Sequence, residues 1–565
     1  MVLVTDSTYQ ELAPKLRATL LSCDFLAIDF EFLGLDTSAI SLHDTTEQRY
    51  ALLRDGVMKY RPCQLGIAFF KQKTDSGGFR SDYYSFPLFQ RFGDNTTCIS
   101  ASSLRFLRNH KFDFNQVFTN GVEYCTRNEY RKFAKALNKG NALSFVGKEI
   151  VMEVELLKVK LHEKIHQSEM QEILKSTEEP LQNLPLKLRE GAEIRLKMPG
   201  KTVRSSVELA VIIHELSKAF PRFLFSSDEE NRVLTVANLP KDCDSEENLK
   251  KLLLNCCEAF EGVSQLMEAA LSMRKPIVGH NCLLDCMYLY HYFFFPLPEK
   301  YQSFKRKFHK LCPRVIDTKI LAQEVRNEIG GITDLQRLGD FFGNEKSDAL
   351  VPPALRGFCE PWLNPMEADG DTYHDAGFDA YITGEVFLKM AHIFIITRNR
   401  LPNDAIRFKR IVQYLAGSVQ NRIPFQLLDA ACCYLEGEDV DGFRPDILNI
   451  VRCDRRPIEE AQYRKQERTL EHLMATYQFD MELSENRTTI VLATNTAGSY
   501  AFLCEKFSNN GTLIPLDELE AGVKWTFEQR QTAWRSRKDN DAGVMNYVKR
   551  RWARRQVMRM EEALA

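Results

Sequence analysis

Residues Phe25-Leu-Ala-Ile-Asp-Phe-Glu-Phe32 form an apolar run that contains two carboxylates, Asp29 and Glu31. The run has the length and the residue types of a buried β-strand. Alternate side chains of a strand point to the same face of a sheet, so Asp29 and Glu31 project together while Ile28 and Phe30 face the other side. This stretch therefore predicts a pair of carboxylates on one face of a central strand.

Two further stretches, far along the chain, combine acidic residues with a histidine or an asparagine. They are Gly279-His-Asn-Cys-Leu-Leu-Asp285 and Tyr373-His-Asp-Ala-Gly-Phe-Asp379. The first predicts a helix from Asn281, on which Asn281 and Asp285 share a face at positions i and i+4. The second predicts a helix that begins at His374, with Asp379 near its start. Asp375 lies four residues before Asp379 and could share its face.

Four carboxylates and one histidine in this order are the side chains that two-metal hydrolysis of a phosphodiester requires. Two Mg²⁺ ions about 3.5–4 Å apart activate a water and neutralise the attacking and leaving oxygens. Mg²⁺ prefers carboxylate oxygens and keeps several waters, so a few acidic side chains suffice. A histidine that titrates near neutrality can take the proton from the water. Each motif alone is a weak signal, but the ordered set predicts a nuclease.

The composition is that of a globular protein with several domains. The chain has 565 residues, 44% hydrophobic and 27% charged, with a formal net charge of −2. This length predicts roughly two to four domains, and any surface for nucleic acid must be local because the net charge is small. The 15 cysteines include no Cys-x-x-Cys pair and are expected to be reduced thiols. The most apolar stretch, 287–298, is too short to cross a bilayer, so we expect no membrane anchor.

Apolar periodicity and polar linkers divide the chain into a split domain, an insert, a third unit and a tail. Residues 1–150 and 246–402 alternate strand-like and helical patterns, which is typical of an α/β domain. Residues 151–245 resemble a small α/β insert with its own core. Residues 403–523 have roughly a β-α-β-β-α order, and residues 524–565 form a basic tail. The tail could contact phosphates, direct nuclear import or form a solvated helix face.

The sequence resembles the DEDDh exonucleases of the ribonuclease H-like superfamily, and more narrowly the poly(A)-specific ribonuclease family, which includes soluble piRNA 3′-end trimmers. Besides 279–285, the stretches that carry the resemblance are Phe30-Glu-Phe-Leu-Gly-Leu35, Cys63-Gln-Leu-Gly-Ile67, Asp113-Phe-Asn-Gln-Val-Phe-Thr-Asn-Gly121, Pro313-Arg-Val-Ile-Asp-Thr-Lys319 and 374–384. The resemblance implies an α/β fold with a ribonuclease H-like core, in which helices flank a mixed sheet. It also implies an inserted domain like the family's Arg-x-x-x-His RNA-binding domain and a C-terminal RRM-like unit.

For the active site, the resemblance implies that four acidic residues bind two Mg²⁺ ions, which Mn²⁺ could replace. These are Asp29, Glu31, Asp285 and Asp379. It also implies that His374 is the general base, and the family's spacing favours Asp379 over Asp375 as the last metal ligand. All five positions of the family's motif are occupied by the required residues.

The resemblance further implies that Leu35, Asn281 and Lys319 contact the terminal nucleotides of the RNA. A lysine is a suitable partner for a phosphate. Leu35 would offer an apolar surface to a base, and Phe118 could stack on one. Ordinary packing is the alternative explanation for each of these residues.

Both predicted RNA-binding regions depart from the family's signatures. The insert lacks the Arg-x-x-x-His motif, since Arg204 is not followed by a histidine at that spacing. It could instead be a dimerisation or spacer module. The third unit lacks the aromatic RNP signature, although Tyr500 and Phe502 lie in the corresponding region.

From the resemblance we expect a Mg²⁺-dependent 3′→5′ exoribonuclease that degrades single-stranded RNA from a free 3′-hydroxyl and releases 5′-nucleotides. The substrate would be poly(A) tails or the 3′ ends of piRNA precursors. The family also suggests a homodimer, and a partner protein could load the RNA. Two alternatives stay open: a DNA-directed exonuclease with the same carboxylates, and a non-catalytic RNA-binding adaptor. The cytoplasm, the nucleus and RNA granules are all compatible with the sequence.

Overall fold

The computed structural model describes residues 2–35, 40–41, 44–90, 97–139, 193–197, 206–221, 223–227, 233–239, 244–357, 360–361, 374–425, 432–439, 447–452, 456–473, 479–483, 487–494, 502 and 525–530. The chain divides into two compact units. The first comprises Met1–Leu35, Val57–Leu297 and Lys310–Gln420, and the second comprises Asp36–Gly56, Pro298–His309 and Asn421–Ala565. The domain boundaries inferred from the sequence stay predictions.

The strands of the described residues are numbered in chain order. They are β1 (Val2–Leu3), β2 (Phe25–Phe32), β3 (Pro62–Gln72), β4 (Phe79–Pro87), β5 (Glu193–Lys197), β6 (Phe223–Ser227), β7 (Val233–Asn238), β8 (Ile277–Gly279), β9 (Val315–Asp317), β10 (Glu360–Pro361), β11 (Arg422–Pro424), β12 (Cys432–Tyr434), β13 (Ile447–Arg452), β14 (Phe479–Leu483), β15 (Thr489–Thr494) and β16 (Trp525–Arg530).

The α-helices are numbered in the same way. They are α1 (Asp6–Ser22), α2 (Thr46–Lys59), α3 (Ala101–Asn109), α4 (Phe114–Asn120), α5 (Arg127–Asn138), α6 (Ser206–Ala219), α7 (Ser245–Glu261), α8 (Val263–Ser272), α9 (Leu283–Phe293), α10 (Tyr301–Leu311), α11 (Thr318–Glu324), α12 (Leu335–Phe342), α13 (Ala376–Asn399), α14 (Phe408–Leu415) and α15 (Glu460–Leu473).

A seven-stranded mixed sheet forms the core of the first unit. Its order is β1-β4-β3-β2-β8-β9, and β10 also pairs with β4. The pairs β2–β3 and β3–β4 are antiparallel, whereas β8 and β9 continue the sheet in parallel. The strand predicted over Phe25–Phe32 is confirmed with the same bounds, at the centre of this sheet. The predicted mixed sheet flanked by helices is therefore confirmed.

Helix α13 packs across β2, β3 and β4 and covers one face of the sheet. Among the described residues it is the one helix long and apolar enough to cross a membrane. Of an 18-residue apolar segment of this helix, 89% is buried inside the protein, as is usual for the core helix of a globular domain. The burial explains the apolar composition of α13 by packing on the sheet.

The described part of the insert has a core of its own. Strands β5, β7 and β6 form an antiparallel sheet in that order. The core residues, from α6, β6 and β7, are Leu209, Ile212, Leu216, Phe225, Leu234 and Val236. On α6, Val207 and Val211 pack with Phe133 and Phe260. The helix predicted over 153–171 lies outside the described residues, and the likeness to an Arg-x-x-x-His domain stays a prediction.

The second unit contains a four-stranded antiparallel sheet in the order β14-β15-β13-β16. Helix α15 lies between β13 and β14 in the chain. Strand β16 falls in the range predicted as basic tail, and the alternation in Trp525-Thr-Phe527 suits its pairing with β13. An RRM is built on a four-stranded sheet, but the RRM-like assignment stays a prediction. Tyr500 and residues 531–565 lie outside the described residues.

Candidate active site

The central strand β2 presents the predicted carboxylate pair. Asp29 lies opposite Gly66 of β3 in the antiparallel register, and Glu31 follows two residues later on the same side. Between them, the backbone N–H of Phe30 donates a hydrogen bond to Oδ1 of Asp285 at 3.0 Å. The buried carboxyl group of Asp285, from α9, is thereby fixed beside Asp29 and Glu31.

The absence of a side chain at Gly66 lets α13 approach the same part of the sheet. A Cβ atom at Gly66 would lie 1.7 Å from the carbonyl oxygen of Ala376, the first residue of α13. A Cβ atom at Gly377 would lie 2.3 Å from Oγ of Ser85 on β4. These two glycines bring the first turn of α13, which contains Asp379, down onto the face from which Asp29 projects.

The prediction that α13 begins at His374 is wrong by two residues. The helix begins at Ala376, and His374 precedes it in the left-handed region, with φ of +70°. The backbone N–H of His374 donates to Oδ2 of Asp379 at 3.1 Å. Within the described ranges, Glu31, His374 and Asp379 form a group whose ligand atoms all lie within 4.8 Å of one another.

Asp375, the other acidic residue considered for this site, is the N-cap of α13. Its Oδ1 accepts hydrogen bonds from the backbone N–H groups of Gly377 at 2.9 Å and Phe378 at 3.2 Å, and from the hydroxyl of Ser85. Its Oδ2 accepts a hydrogen bond from Nε2 of Gln64 at 2.9 Å. Both oxygens are therefore engaged in fastening α13 to the sheet.

We expect Asp375→Asn to act mainly on stability and Asp379→Asn to act mainly on activity. Asparagine is still a good N-cap, so Asp375→Asn should keep RNA hydrolysis within about threefold and lower the free energy of unfolding by about 1 kcal/mol. Asp379→Asn should lower kcat/KM by about 1,000-fold or more, because the predicted cation site loses a charged oxygen. Hydrolysis of a labelled RNA and thermal unfolding of both variants test this. Equal loss of hydrolysis in the two variants would contradict the interpretation of Asp375 as a helix cap alone.

The segment before α9 also differs from the sequence prediction. The helix begins at Leu283 rather than at Asn281, and Asn281 has φ of +54°. Asn281 and Asp285 therefore do not share a helix face, and that prediction is wrong. Asn281 is instead an exposed residue in a turn that precedes the helix.

A buried carboxylate, Asp317 at the end of β9, organises this turn. It accepts hydrogen bonds from the backbone N–H groups of Asn281 at 3.1 Å, Cys282 at 2.8 Å and Lys319 at 2.9 Å. Two of the residues predicted to contact RNA, Asn281 and Lys319, are thus held by one side chain. Asp317 was not singled out from the sequence, although an aspartate between an apolar strand and a threonine is a typical N-cap.

The remaining two predicted RNA contacts lie on exposed surfaces. Leu35 is 39% exposed, three residues beyond β2, and its N–H donates to Oγ of Ser103 at 3.1 Å. Phe118 on α4 is 43% exposed, and its ring packs edge-to-face on Phe89 with centroids 5.7 Å apart. The role of Phe118 in RNA binding stays a prediction.

The carboxylates are protonated more readily than ordinary acidic groups. Burial, followed by the charges of neighbouring carboxylates, raises the pKa of Asp29 and of Glu31 well above their ordinary values. Burial also raises the pKa of Asp285 to about 7, although backbone hydrogen bonds act in the opposite direction. Burial raises the pKa of Asp379 to about 7 as well, against a hydrogen bond from the backbone of His374. Like charges gathered in a buried place favour a bound cation.

One oxygen of the cluster is available to such a cation. Oδ1 of Asp379 is buried, and within the part of the chain that the structure describes it has no hydrogen-bond donor. A buried carboxylate oxygen without a donor is costly unless an unseen group satisfies it. The donor set of acidic oxygens suits a hard divalent cation such as Mg²⁺ or Mn²⁺.

Two residues next to the site, Phe106 and His110, were also missed from the sequence. Their rings lie against the imidazole of His374, with centroid separations of 5.0 Å and 3.8 Å. Their spacing of four residues predicts a shared helix face. Nothing in the sequence connects that face with His374, more than 260 positions away.

Comparison with known proteins identifies the family. The CAF1 family ribonuclease model matches residues 4–387. The "3′-5′ exoribonuclease parn-1" of Caenorhabditis elegans is 54% identical over 567 residues, covering 100% of both chains. The "Poly(A)-specific ribonuclease PARN" of Xenopus laevis is 25% identical over 479 residues, which cover 79% of this chain and 71% of that protein. The "Pre-piRNA 3′-exonuclease trimmer" of Bombyx mori is 25% identical over 405 residues, covering 69% and 71%.

The family match spans most of the chain and includes every residue of the carboxylate cluster. It confirms the resemblance to the poly(A)-specific ribonucleases and the prediction that the protein is an enzyme of the 3′→5′ exoribonuclease type. Both the site and the comparisons lead to the same assignment. The chain belongs to the CAF1 family of ribonucleases.

Proposed function

We propose that the protein is a Mg²⁺-dependent exoribonuclease that shortens single-stranded RNA from a free 3′-hydroxyl and releases 5′-nucleotides. The observation that carries the proposal is the meeting of β2, α9 and α13 at one cluster of carboxylates, with His374 at its edge. The buried Oδ1 of Asp379, for which the described residues provide no donor, supports a cation in that cluster. Membership of a ribonuclease family supports RNA as the substrate.

Two Mg²⁺ ions would be held by four acidic residues, which are Asp29, Glu31, Asp285 and Asp379. When bound, the ions supply neutralisation of the charge on the attacking and leaving oxygens. The Phe30 N–H fixes the carboxyl group of Asp285. His374 takes the proton from the attacking water, because its imidazole lies with Glu31 and Asp379 and histidine titrates near neutral pH.

Recognition of the RNA end would fall to the residues around the cluster. Asp317 holds the backbones of Asn281 and Lys319 in one place, so an amide and an ammonium can act together on one nucleotide. The ammonium of Lys319 is suited to a phosphate, and the amide of Asn281 to a base or sugar edge. Leu35, beyond the end of β2, offers an apolar surface for the base.

The relatives suggest two classes of RNA. The Xenopus relative is named a poly(A)-specific ribonuclease, and the Bombyx relative a pre-piRNA trimmer. We propose that the substrate is one of these: a poly(A) tail or the 3′ extension of a small-RNA precursor. Both present a single-stranded 3′ end to the enzyme, so the carboxylate cluster and the residues around it suit either.

Hydrolysis of 5′-labelled oligonucleotides tests the proposed function. The substrates are RNAs of equal length with an all-adenosine or a mixed 3′ tail, the same RNA with a 3′-phosphate, and a DNA of the same sequence. We expect a ladder that shortens from the 3′ end of RNA, needs Mg²⁺, and is lost in EDTA and in Asp379→Asn. A 3′-phosphate should strongly slow the shortening of the RNA, because the proposed reaction starts from a free 3′-hydroxyl.

The same assay separates the alternatives. A preference for the adenosine tail would indicate a deadenylase, and equal rates would indicate a general trimmer. Faster degradation of the DNA would favour a DNA-directed exonuclease. Retained RNA binding without any hydrolysis in Mg²⁺ or Mn²⁺ would overturn the proposal in favour of an adaptor.

A further inference from the structure

Two exposed aromatic side chains, one on α3 and one at its C-cap, form a bracket around the imidazole of His374. Phe106 is 46% exposed and His110, which directly follows the helix, is also exposed. Their rings contact each other, with centroids 4.4 Å apart. The Phe106 ring meets His374 edge-on at 5.0 Å and 84°, and the His110 ring meets it at 3.8 Å and 53°. We propose that Phe106 and His110 are positioning residues, which hold the general base in its reactive orientation.

His374 needs support of this kind because of its place in the chain. It precedes α13 with φ of +70°, so helical geometry does not set the direction of its side chain. Its N–H bond to Asp379 acts on the backbone and not on the imidazole. A general base must lie within hydrogen-bond reach of the water that it deprotonates. Packing against two rings reduces the number of orientations open to the imidazole.

The bracket is attached to the strand that bears the metal ligands. The N–H of Ser100, before α3, donates to the carbonyl of Leu33 at 2.9 Å, just beyond β2. The N–H of Leu35 donates to Oγ of Ser103 on α3 at 3.1 Å. Leu107, the buried residue of α3, packs in a cluster with Leu33. These contacts fix α3 relative to the end of β2, and they thereby fix the two rings beside His374.

His110 is itself oriented by a hydrogen bond. Its Nδ1 lies 2.9 Å from the carbonyl oxygen of Phe106. A carbonyl only accepts, so Nδ1 carries a hydrogen and donates it. The bond fixes the plane of the His110 ring, which then presents a defined surface to His374. Because both rings are exposed, their replacement should not affect the folded core.

The test, which rests on the proposed function, is steady-state kinetics on the 5′-labelled RNA. We expect Phe106→Ala or His110→Ala to lower kcat about tenfold and the double variant about 100-fold, with KM changed less than about twofold, since a misplaced base costs rate rather than binding. His110→Phe, which keeps a ring, should recover most of the loss. Leu254→Ala, at an exposed apolar position on α7, is the control and should match the wild type.

A second measurement makes the two proposals separable. With histidine labelled at Cε1, the resonance of His374, assigned from His374→Gln, should shift in Phe106→Ala because a neighbouring ring is lost. A raised KM at unchanged kcat would overturn the bracket and show that the rings contact RNA. Unchanged kinetics or an unchanged His374 resonance would overturn it as well. Absence of hydrolysis in the wild type would overturn the proposed function, and the resonance would then decide on the bracket alone.

Discussion

Replacing Asp29 with asparagine is expected to abolish RNA hydrolysis and, at the same time, to stabilise the protein in the absence of divalent cations. The loss of activity should be about 1,000-fold or more, because a carboxylate of the proposed metal site is removed. The gain in the free energy of unfolding should be about 1 kcal/mol or more, because an acidic group leaves a buried cluster of like charges. The measurements are kcat/KM on labelled RNA and thermal unfolding in EDTA.

The gain in stability should depend on pH in a defined direction. Burial raises the pKa of Asp285 and of Asp379 to about 7. The folded protein therefore binds more protons than the unfolded chain between roughly pH 4 and 7, and the free energy of unfolding of the metal-free enzyme falls as pH rises through that range. Asp29→Asn relieves the repulsion that develops, so its stabilisation should be larger at pH 8 than at pH 5.

Two controls accompany this prediction. Asp24→Asn makes the same chemical change just before β2, where Asp24 accepts a hydrogen bond from the N–H of Gln72 at 2.8 Å and pairs with Lys71 at 3.4 Å. It should lower stability slightly and leave hydrolysis within about twofold. Added Mg²⁺ should raise the unfolding temperature of the wild type more than that of Asp29→Asn. Destabilisation of the metal-free Asp29→Asn variant would show that the carboxylates do not repel one another in the folded state.

The central strand and its carboxylates could be predicted from local sequence because the residue pattern of Phe25–Phe32 is by itself typical of a buried strand. In a buried strand, acidic residues two apart must lie on the same face. The strand in the structure has the same bounds as the predicted one. The approach of α9 and α13 to this strand was accessible only through resemblance to a family. Neither hydrophobic periodicity nor spacing indicates which helix end lies on which strand.

The local errors at Asn281 and His374 have a common physical cause. Both residues adopt positive φ immediately before a helix whose cap is determined by distant partners. Asp317 fixes the turn at Asn281, and the side chains of Gln64 and Ser85 fix the N-cap of α13. In the sequence, the helical pattern continues through these residues. A hydrogen bond from a distant side chain leaves no signal in the local sequence, so the true start of the helix could not be predicted. Both residues also belong to the proposed site, and residues with positive φ are common at functional sites.

Replacing Gly66 with alanine is expected to disable the site without touching any catalytic side chain. Gly66 pairs with Asp29 across β2 and β3, so a side chain there would point to the same face as the carboxylate. Its Cβ would lie 1.7 Å from the carbonyl oxygen and 2.0 Å from the carbonyl carbon of Ala376. These are backbone atoms, which cannot rotate away as a flexible side chain could. The first turn of α13 must therefore withdraw from the sheet by about 1 Å or more.

That withdrawal moves Asp379 and the neighbouring His374 away from Asp29 and Glu31. A misplacement of about 1 Å in a catalytic constellation costs on the order of 100-fold in rate, and overpacking costs about 1–3 kcal/mol of stability. We therefore expect Gly66→Ala to lower kcat about 100-fold and to weaken the response of the unfolding temperature to Mg²⁺. Thermal unfolding with and without the cation, beside the RNA assay, measures both effects.

Two other glycines separate displacement of the site from loss of stability. At Gly384, further along α13, an added Cβ would lie 2.1 Å from the ring of Phe70, so Gly384→Ala should destabilise the protein by a similar amount. Since that clash lies about two turns beyond the cap, hydrolysis by the folded fraction should fall less than in Gly66→Ala. At Gly56 in α2 an added Cβ would meet no atom within 4 Å apart from neighbouring residues and backbone of its own helix, and Gly56→Ala should raise stability by about 0.5–1 kcal/mol with full activity. Equal losses of rate in Gly66→Ala and Gly384→Ala would mean that overall stability, rather than the seat of α13 on β3, governs catalysis.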